Sequence, residues 1–456
     1  MLSRLKSAWE ALNSSYWFLP ATLGLGAFLL SLATLAVDRR LPQDWLRRLD
    51  LDVLPMIQSE GARSLLTTVA SSMITVAGVV FSLTLLVLTQ ASSQFGPRLL
   101  SNYMRDRTNQ FVLGIFVATF VYALLVLRVV TGGDSEAGID AFVPNLSVMI
   151  ALLLTFFTVA ILVYFFHHTA QSIRVTHVLG EVDDSLRRQL EAHAEIEPDG
   201  GDGDGANPEE VALAIPLDFR ANLGVITARR GGYLQSVDAE GLVASATKAD
   251  AVVRIVPIAG SFVFRGVTLA EVHPASAADG LGDAVHRAVS LGPDRSLTQD
   301  LAFYFDEFLE IALRALSPSL NDPFTARSCI DRIGQGLLLL DRRRLPRQVH
   351  VDDDGVVRAF VPYQGKGTLT RHVLAELRRA SAGNVFVTQH LLETLVVLRR
   401  SVRGNAIRIA IDDELAAIVP GSEGSAPERD HARLCAMVAH ATATEARDDA
   451  SASQSP

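Results

Sequence analysis

Few residues in this 456-residue chain have the type and spacing to do chemistry, and the most ordered set of them is a line of hydroxyls. Thr68, Ser71, Thr75, Gly78, Ser82, Thr89 and Ser93 fall within about 60° of one line when successive residues are turned by about 100°. A Ser or Thr hydroxyl can donate to the carbonyl one turn earlier, so such a face survives in hydrocarbon. Its natural neighbours are other helices or water. Two readings follow, a close-packing seam between helices and the lining of a pore. The next set is acidic. Asp322 could cap a helix or, with Asp300 and Glu307, hold a cation. The order Asn321-Asp322-Pro323, with proline at the first helical position, favours the cap. Ser317, Pro318, Asn321, Asp322, Pro323 and Phe324 together read as a rigid turn suited to a structural or coupling contact.

Other constellations fall away on spacing. Asp202, Asp204 and Gly205 follow the order of a calcium loop, but Gly200 and Val211 occupy its first and last ligand positions. His167 and His168 are adjacent, so on a helix they diverge by about 100° and suit a membrane interface better than one shared metal. Asp352, Asp353 and Asp354 precede Gly355 between two β-prone runs and read as a hairpin turn. Cys329 and Cys435 stand far apart outside any CxxC, which suggests neither a disulfide framework nor a thiolate metal site. GxSxG, HExxH and phosphate-loop patterns are missing, and the eleven histidines are scattered. The sequence therefore predicts no enzyme, no cofactor and no metal site. A net charge of −9 without a basic block argues against nucleic acid as a partner.

The elements that must position these residues begin with four apolar runs, at about 17–37, 65–90, 111–130 and 142–166, within a membrane domain of residues 1–170. Hydrophobic residues make up 49% of the chain and are concentrated in its first third. The first run ends at Asp38-Arg39-Arg40 with no small-residue cleavage site, so it reads as a span and not a signal peptide. The second carries the hydroxyl line, lacks charge over 65–90, and continues to Phe95 before Gly96-Pro97 stops it. Thirty-one residues of helix span about 46 Å, so it must tilt or project beyond the bilayer. In the third, Arg128 can reach the nearer interface; in the fourth, Pro144 fits the first turn. Arg4, Lys6, Arg98, Arg105, Arg107, Arg174, Arg187 and Arg188 outnumber Arg39, Arg40, Arg47, Arg48 and Arg63, which predicts both termini in the cytoplasm.

Beyond the membrane, the fourth helix is expected to continue as a stalk, 171–195, with Val175, Val178, Leu179, Val182, Leu186 and Leu190 on one stripe and Asp183 off it, open to self-association. An acidic linker at 196–210 follows, then a small β-rich module at 211–275 in which Asp238 caps one helix. Residues 276–447 read as a mostly helical cytosolic domain with one β-hairpin, and 448–456 as a disordered tail. Within it, a helix over 297–316 sets Leu301, Phe305, Phe308, Ala312 and Leu316 against a polar face of Asp300, Asp306, Glu307, Glu310 and Arg314. Further helices are predicted at 369–380, 385–402, 406–419 and 428–447. The fold class is thus an α-helical multi-pass membrane domain of four transmembrane helices followed by an α+β soluble cytosolic region.

The segments TVAGVVFSLTLLVLTQASSQFGPRLLSNYMRDR, FVATFVYALLVLR, YFFHHTAQSI and ALSPSLNDPFTA, in that order, resemble the bacterial predicted membrane proteins grouped as domain of unknown function 2254, over residues of about 23 to 419. Ser319-Leu320 departs from the small residue and isoleucine expected in that loop. The resemblance implies a multi-pass protein of the bacterial plasma (inner) membrane with a large soluble C-terminal region, and it supplies no active-site residues. Three function classes stay open. The first is a homo-oligomeric channel or transport-like protein with a cytosolic regulatory region, its ion or small-molecule ligand unknown. The second is a membrane-anchored sensor or scaffold without transport, and the third a membrane-surface enzyme. The expected partners are the lipid bilayer and further copies of the chain.

Overall fold

The computed structural model describes residues 17–40, 58–96, 107–132, 142–172, 174–193, 195–196, 221–422, 429, 431–432 and 435–437. All but the first residue of the predicted acidic linker, the calcium-like order at 202–205, residues 211–220 of the β-rich module, nearly all of the helix at 428–447 and the tail at 448–456 lie outside them. The chain divides into two units, Met1–His177 and Val178–Pro456.

Helices α1 (Phe18–Asp38), α2 (Ser59–Phe95), α3 (Arg107–Leu127) and α4 (Asn145–Ser172) build the first unit, and each is long and apolar enough to cross a membrane. Helix α2 starts six residues before the predicted span, at Ser59, and its 37 residues measure about 55 Å. It ends at Gly96, whose φ of +107° is a backbone state that side chains rarely adopt, and whose N–H closes on the Ser92 carbonyl. Helix α3 is the centre, packed on all three others, with Val112, Phe116, Tyr122, Ala123 and Val126 buried. At Gly114 a Cβ would fall 2.6 Å from Leu23 Cδ1 and 3.1 Å from the Pro20 Cα, so glycine sets how closely α1 approaches α3. Pro144 stands just outside α4 instead of in its first turn, and its carbonyl accepts from Val148 N–H.

The predicted continuous stalk is broken. Helix α4 stops at Ser172, and α5 (Val175–His193) starts afresh, with Arg174 N–H on the Gln171 carbonyl and His177 N–H on that of Arg174. The sequence there is Ile173-Arg174-Val175-Thr176; three β-branched side chains in four positions weaken the helix at this point. The stripe of α5 buries Leu179, Val182, Leu186 and Leu190 within its own chain. A Cβ on Gly336 would meet Leu186 at 2.9 Å and Phe305 at 3.0 Å. Asp183, placed off the stripe by periodicity, is buried too and pairs with Arg332 at 3.1 Å.

The second unit continues with β1 (Glu195–Ile196), β2 (Gly224–Thr227), β3 (Gly232–Val237), α6 (Ala239–Lys248), β4 (Val252–Ile255), β5 (Phe262–Val263), β6 (Thr268–His273), α7 (Ala278–Ala288) and β7 (Val289–Gly292). Then come α8 (Leu301–Ala315), α9 (Pro323–Asp341), β8 (Arg343–Arg344), β9 (Val349–Val351), β10 (Val357–Phe360), α10 (Lys366–Ser381), α11 (Val385–Ser401) and α12 (Asn405–Ser422). The expected cap holds at α6, where Asp238 accepts from Gly241 N–H at 3.0 Å. The β-rich module does not close at residue 275, however. Its main sheet runs β2-β6-β4-β10-β9, so the hairpin assigned to the helical domain supplies two of five strands, with β10 parallel to β4. Strands β3, β5 and β7 form a second sheet, and α6 and α7 help close one core around Leu234, Leu242, Val253, Leu269, Val272, Val285 and Ala359. A parallel pair needs a long connection, and here it runs from β5 to β9 and contains the helices α7, α8 and α9, which no local pattern reveals.

Candidate functional site

The line of hydroxyls on α2 keeps its helical register. Thr68, Ser71, Thr75, Gly78, Ser82, Thr89 and Ser93 are all exposed on the first unit. Leu66, Val69, Ala70, Met73, Ala77 and Val80, centred about half a turn of the helical wheel away, are the residues that pack inward, largely against α3. Inside one chain the line is therefore not the packing seam; the seam is the apolar face behind it. Nor does Gly78 serve a close approach here, because a Cβ on it would have nothing within 4 Å. Each hydroxyl donates to its own helix: Thr68 to the Ser64 carbonyl at 2.8 Å, Thr75 to Ser71 at 2.7 Å, Ser82 to Gly78, Thr89 to Leu86 and Ser93 to Gln90 at 2.8 Å, and Ser71 to Thr67. One inward hydroxyl that the pattern did not select is Thr84, buried and bonded to the Val80 carbonyl at 2.8 Å.

A second polar cluster was not singled out from sequence. Asp38, which marks the end of the first apolar run, turns inward and caps the start of α4. Its carboxyl accepts from Leu146 N–H at 3.0 Å, Ser147 N–H at 2.9 Å and the Ser147 hydroxyl at 2.6 Å. Beside it Tyr122 donates to the Ser147 carbonyl at 3.2 Å and shares a 2.9 Å hydrogen bond with Thr34. At the same end Arg63, counted as a loop charge, donates through Nε and a terminal nitrogen to the Val130 carbonyl, at 3.1 and 2.8 Å, just beyond α3. Acid at a helix start and base at a helix end both offset the orphan backbone groups there. The available signal was α4 itself, whose first turn, Asn145-Leu146-Ser147, has no acid of its own.

In the second unit the three carboxylates that could have shared a cation are separated. Asp300 caps α8, accepting from Phe303 N–H at 3.2 Å, and Asp322 caps α9, accepting from Phe324 and Thr325 N–H at 3.1 Å and from the Thr325 hydroxyl at 2.6 Å. The whole of α8 lies between them, about 20 Å of helix. Glu307, placed on the polar face of that helix, is buried on it instead. Burial alone would raise the Asp322 carboxyl, but the Thr325 and Phe324 hydrogen bonds outweigh it and hold the group below its ordinary range. The turn is tight: Asn321 has φ of +44°, and Asp322 N–H returns to the Ala315 carbonyl at 2.7 Å. Ser317 and Ser319 share a hydroxyl hydrogen bond of 3.1 Å beside Pro318, and Pro323 opens α9. Phe324 is 69% exposed and meets Phe386 edge-on at 5.6 Å, and Arg327 lies 4.4 Å over the Phe386 ring.

A cavity of about 260 Å³ opens where Leu190 of α5, Ile258, Thr298, Asp300, Leu345 and Tyr363 converge. Asp300 is neutralised there by Arg295 at 2.7 Å, which also holds Asp306 at 2.6 Å, and Asp306 meets His372 at 3.1 Å. Burial works against the Arg295 charge, but the two aspartates outweigh it and raise its pKa. Burial lifts the Tyr304 phenol to about 12, with Glu307 adding to it. Cys329 is buried, and its thiol is pushed up first by burial and then by Asp322 and Asp331, so it is held as a thiol and not a nucleophilic thiolate. Among the described residues no group of three or more His, Cys, Asp or Glu is placed to hold a metal ion.

A family model described as Predicted membrane protein (DUF2254) matches residues 13–396. The chain is 32% identical over 451 residues to an uncharacterized protein of Mycobacterium bovis, covering 97% of this chain and 83% of that one. Two uncharacterized proteins of Mycobacterium tuberculosis strains match to the same extent. No solved structure matches.

Proposed function

The chain belongs to the DUF2254 family of predicted membrane proteins, and from that premise we propose a homo-oligomeric channel or transport-like protein whose soluble unit is regulatory. In this reading the exposed line on α2 faces its counterparts in other copies around a common axis. The observation that carries it is a contrast between two outward faces. On α4 that face is large and apolar, with Leu153, Phe156, Phe157 and Val163 all exposed, as lipid contact requires. On α2 the exposed surface is mixed: Ile74, Val79, Phe81, Leu85 and Leu86 are exposed and apolar, but the seven positions of the line among them are small or hydroxylated, which lets a neighbouring helix come close and offers acceptors to water. The activity is non-enzymatic. The site is the bacterial inner membrane, with both termini in the cytoplasm.

Flux from liposomes tests the channel directly. Ser82→Leu with Thr75→Leu is expected to abolish ion flux while the protein still folds, and cysteines at those positions should cross-link between copies. Cross-linking without flux of any ion tested would leave a membrane-anchored sensor or scaffold. That second reading is favoured by one observation: each hydroxyl on the line is already satisfied by its own helix and does not need water. Sidedness is tested with a cysteine at Ser135, which should react with an impermeant thiol reagent in whole cells.

A further inference from the structure

We propose that the groove between α1 and α3 binds the headgroup of an anionic phospholipid through Arg39 and Arg128. The inference rests on the four helices spanning a bilayer and not on the channel reading. The groove has a volume of about 600 Å³. On α1 its wall is Leu32, Leu35 and then Arg39; on α3 it is Leu125 and then Arg128 with Val129. These spacings of three and four residues put each arginine on the same face as its leucines and one turn further toward the helix end.

Both arginines follow directly on the last residue of their helices, Asp38 and Leu127. In a spanning helix this is the level of the phosphates, and the leucines below it are at the level of the acyl chains. Neither Arg39 nor Arg128 makes an ion pair or a side-chain hydrogen bond among the described residues, whereas Arg63 at the same end is spent on the Val130 carbonyl. Asp38, the acid next to Arg39 in the chain, is buried on the amides of α4. Two guanidiniums without a carboxylate match a phosphodiester, and a phosphate is the acceptor whose geometry suits arginine. A choline headgroup would bring a third cation to the same place, so the site prefers phosphatidylglycerol to phosphatidylcholine.

The test is native mass spectrometry of the full-length, delipidated protein in detergent, titrated with phosphatidylglycerol or phosphatidylcholine of the same chains. Phosphatidylglycerol should bind at least tenfold more tightly. R39Q and R128Q should each weaken it about fivefold, the size expected for one basic residue at a membrane surface, and together remove the preference. Leu125→Trp, which fills the apolar wall and keeps both charges, should also weaken binding and carries the test if R39Q with R128Q does not fold. Equal binding of the two lipids, a preference that survives R39Q with R128Q, or phosphatidylglycerol binding undiminished by Leu125→Trp, would overturn the proposal. Displacement by inorganic phosphate at matched concentration would reassign the arginines to free phosphate. Loss of the lipid on dimerisation would assign the groove to a second copy.

Discussion

Replacing Asp38 probes how the first unit is held together. Its carboxyl serves two backbone N–H groups and one hydroxyl at the start of α4, buried at Ser147 and half-buried at Leu146. Asp38→Ala leaves the Leu146 and Ser147 amides without an acceptor where water is scarce, at about 1–3 kcal/mol for each orphaned group. Some relief comes from local 3₁₀ tightening of the first turn of α4, so about 3 kcal/mol is expected in total. Asp38→Asn keeps one acceptor oxygen and should cost about half of that. Ser147→Ala removes only a side-chain contact. Such contacts in helical membrane bundles average about 0.6 kcal/mol, so its loss should stay near 1 kcal/mol. Because Asp38 and Ser147 share one hydrogen bond, the double variant should be no worse than Asp38→Ala by more than a few tenths of a kcal/mol. The assay is denaturant unfolding in mixed micelles, followed by tryptophan fluorescence. An Asp38→Ala protein within about 0.5 kcal/mol of the parent, or strictly additive variants, would refute the cap and leave Asp38 as a boundary charge only.

Asp322→Ala should destabilise the second unit by about 1 kcal/mol, the usual value of an N-cap, as read by thermal melting. Because its pKa is depressed on folding, the contribution of Asp322 is complete above the ordinary value of 3.8 and disappears as pH falls below it. A melt in which the parent and Asp322→Ala proteins converge in that acid window checks the sign. His350 works at higher pH. Burial lowers its pKa below 6.5, so the unfolded chain takes up the proton first and stability falls as pH drops through 6.5, by at most about 1.4 kcal/mol per pH unit; His350→Gln should flatten that slope in a pH series of melts. At Gly367 a Cβ would lie 2.9 Å from the Ala406 carbonyl oxygen, a backbone atom that cannot rotate away, so Gly367→Val should cost about 1–3 kcal/mol and loosen α10 from α12, visible as faster amide exchange in both helices.

Where a structural signal is local, the sequence carried it. Apolar runs of about twenty residues or more place the ends of the four long helices to within six residues, because hydrocarbon thickness sets a length that composition alone can report. Asp238 and Asp322 announce their helices because capping needs one short acceptor at a fixed offset, and Asp-Gly at 354–355 announces the hairpin, where Gly355 has φ of +78°. The hydroxyl line on α2 was equally legible as a line, since a period of 3.6 residues fixes which side chains share a face.

What that line faces was decided only by tertiary packing. Periodicity says that Ser82 and Met73 lie on different faces; it does not say which face meets α3, and α3 took the apolar one. The same holds for Asp38 and Arg63, whose partners are 108 and 67 residues away in the chain, and for β10, which joins β4 across a connection that contains three α-helices. Glu307 and Asp183 were placed outward by rules for a helix with one wet side, and both are buried because their helices are covered on more than one side. Propensity, capping and span length are properties of ten or twenty consecutive residues, so the sequence by itself determined them. The choice among faces, the closing of the five-stranded sheet and the pairing of charges depend on elements distant in the chain meeting in space, and only the fold brings those together.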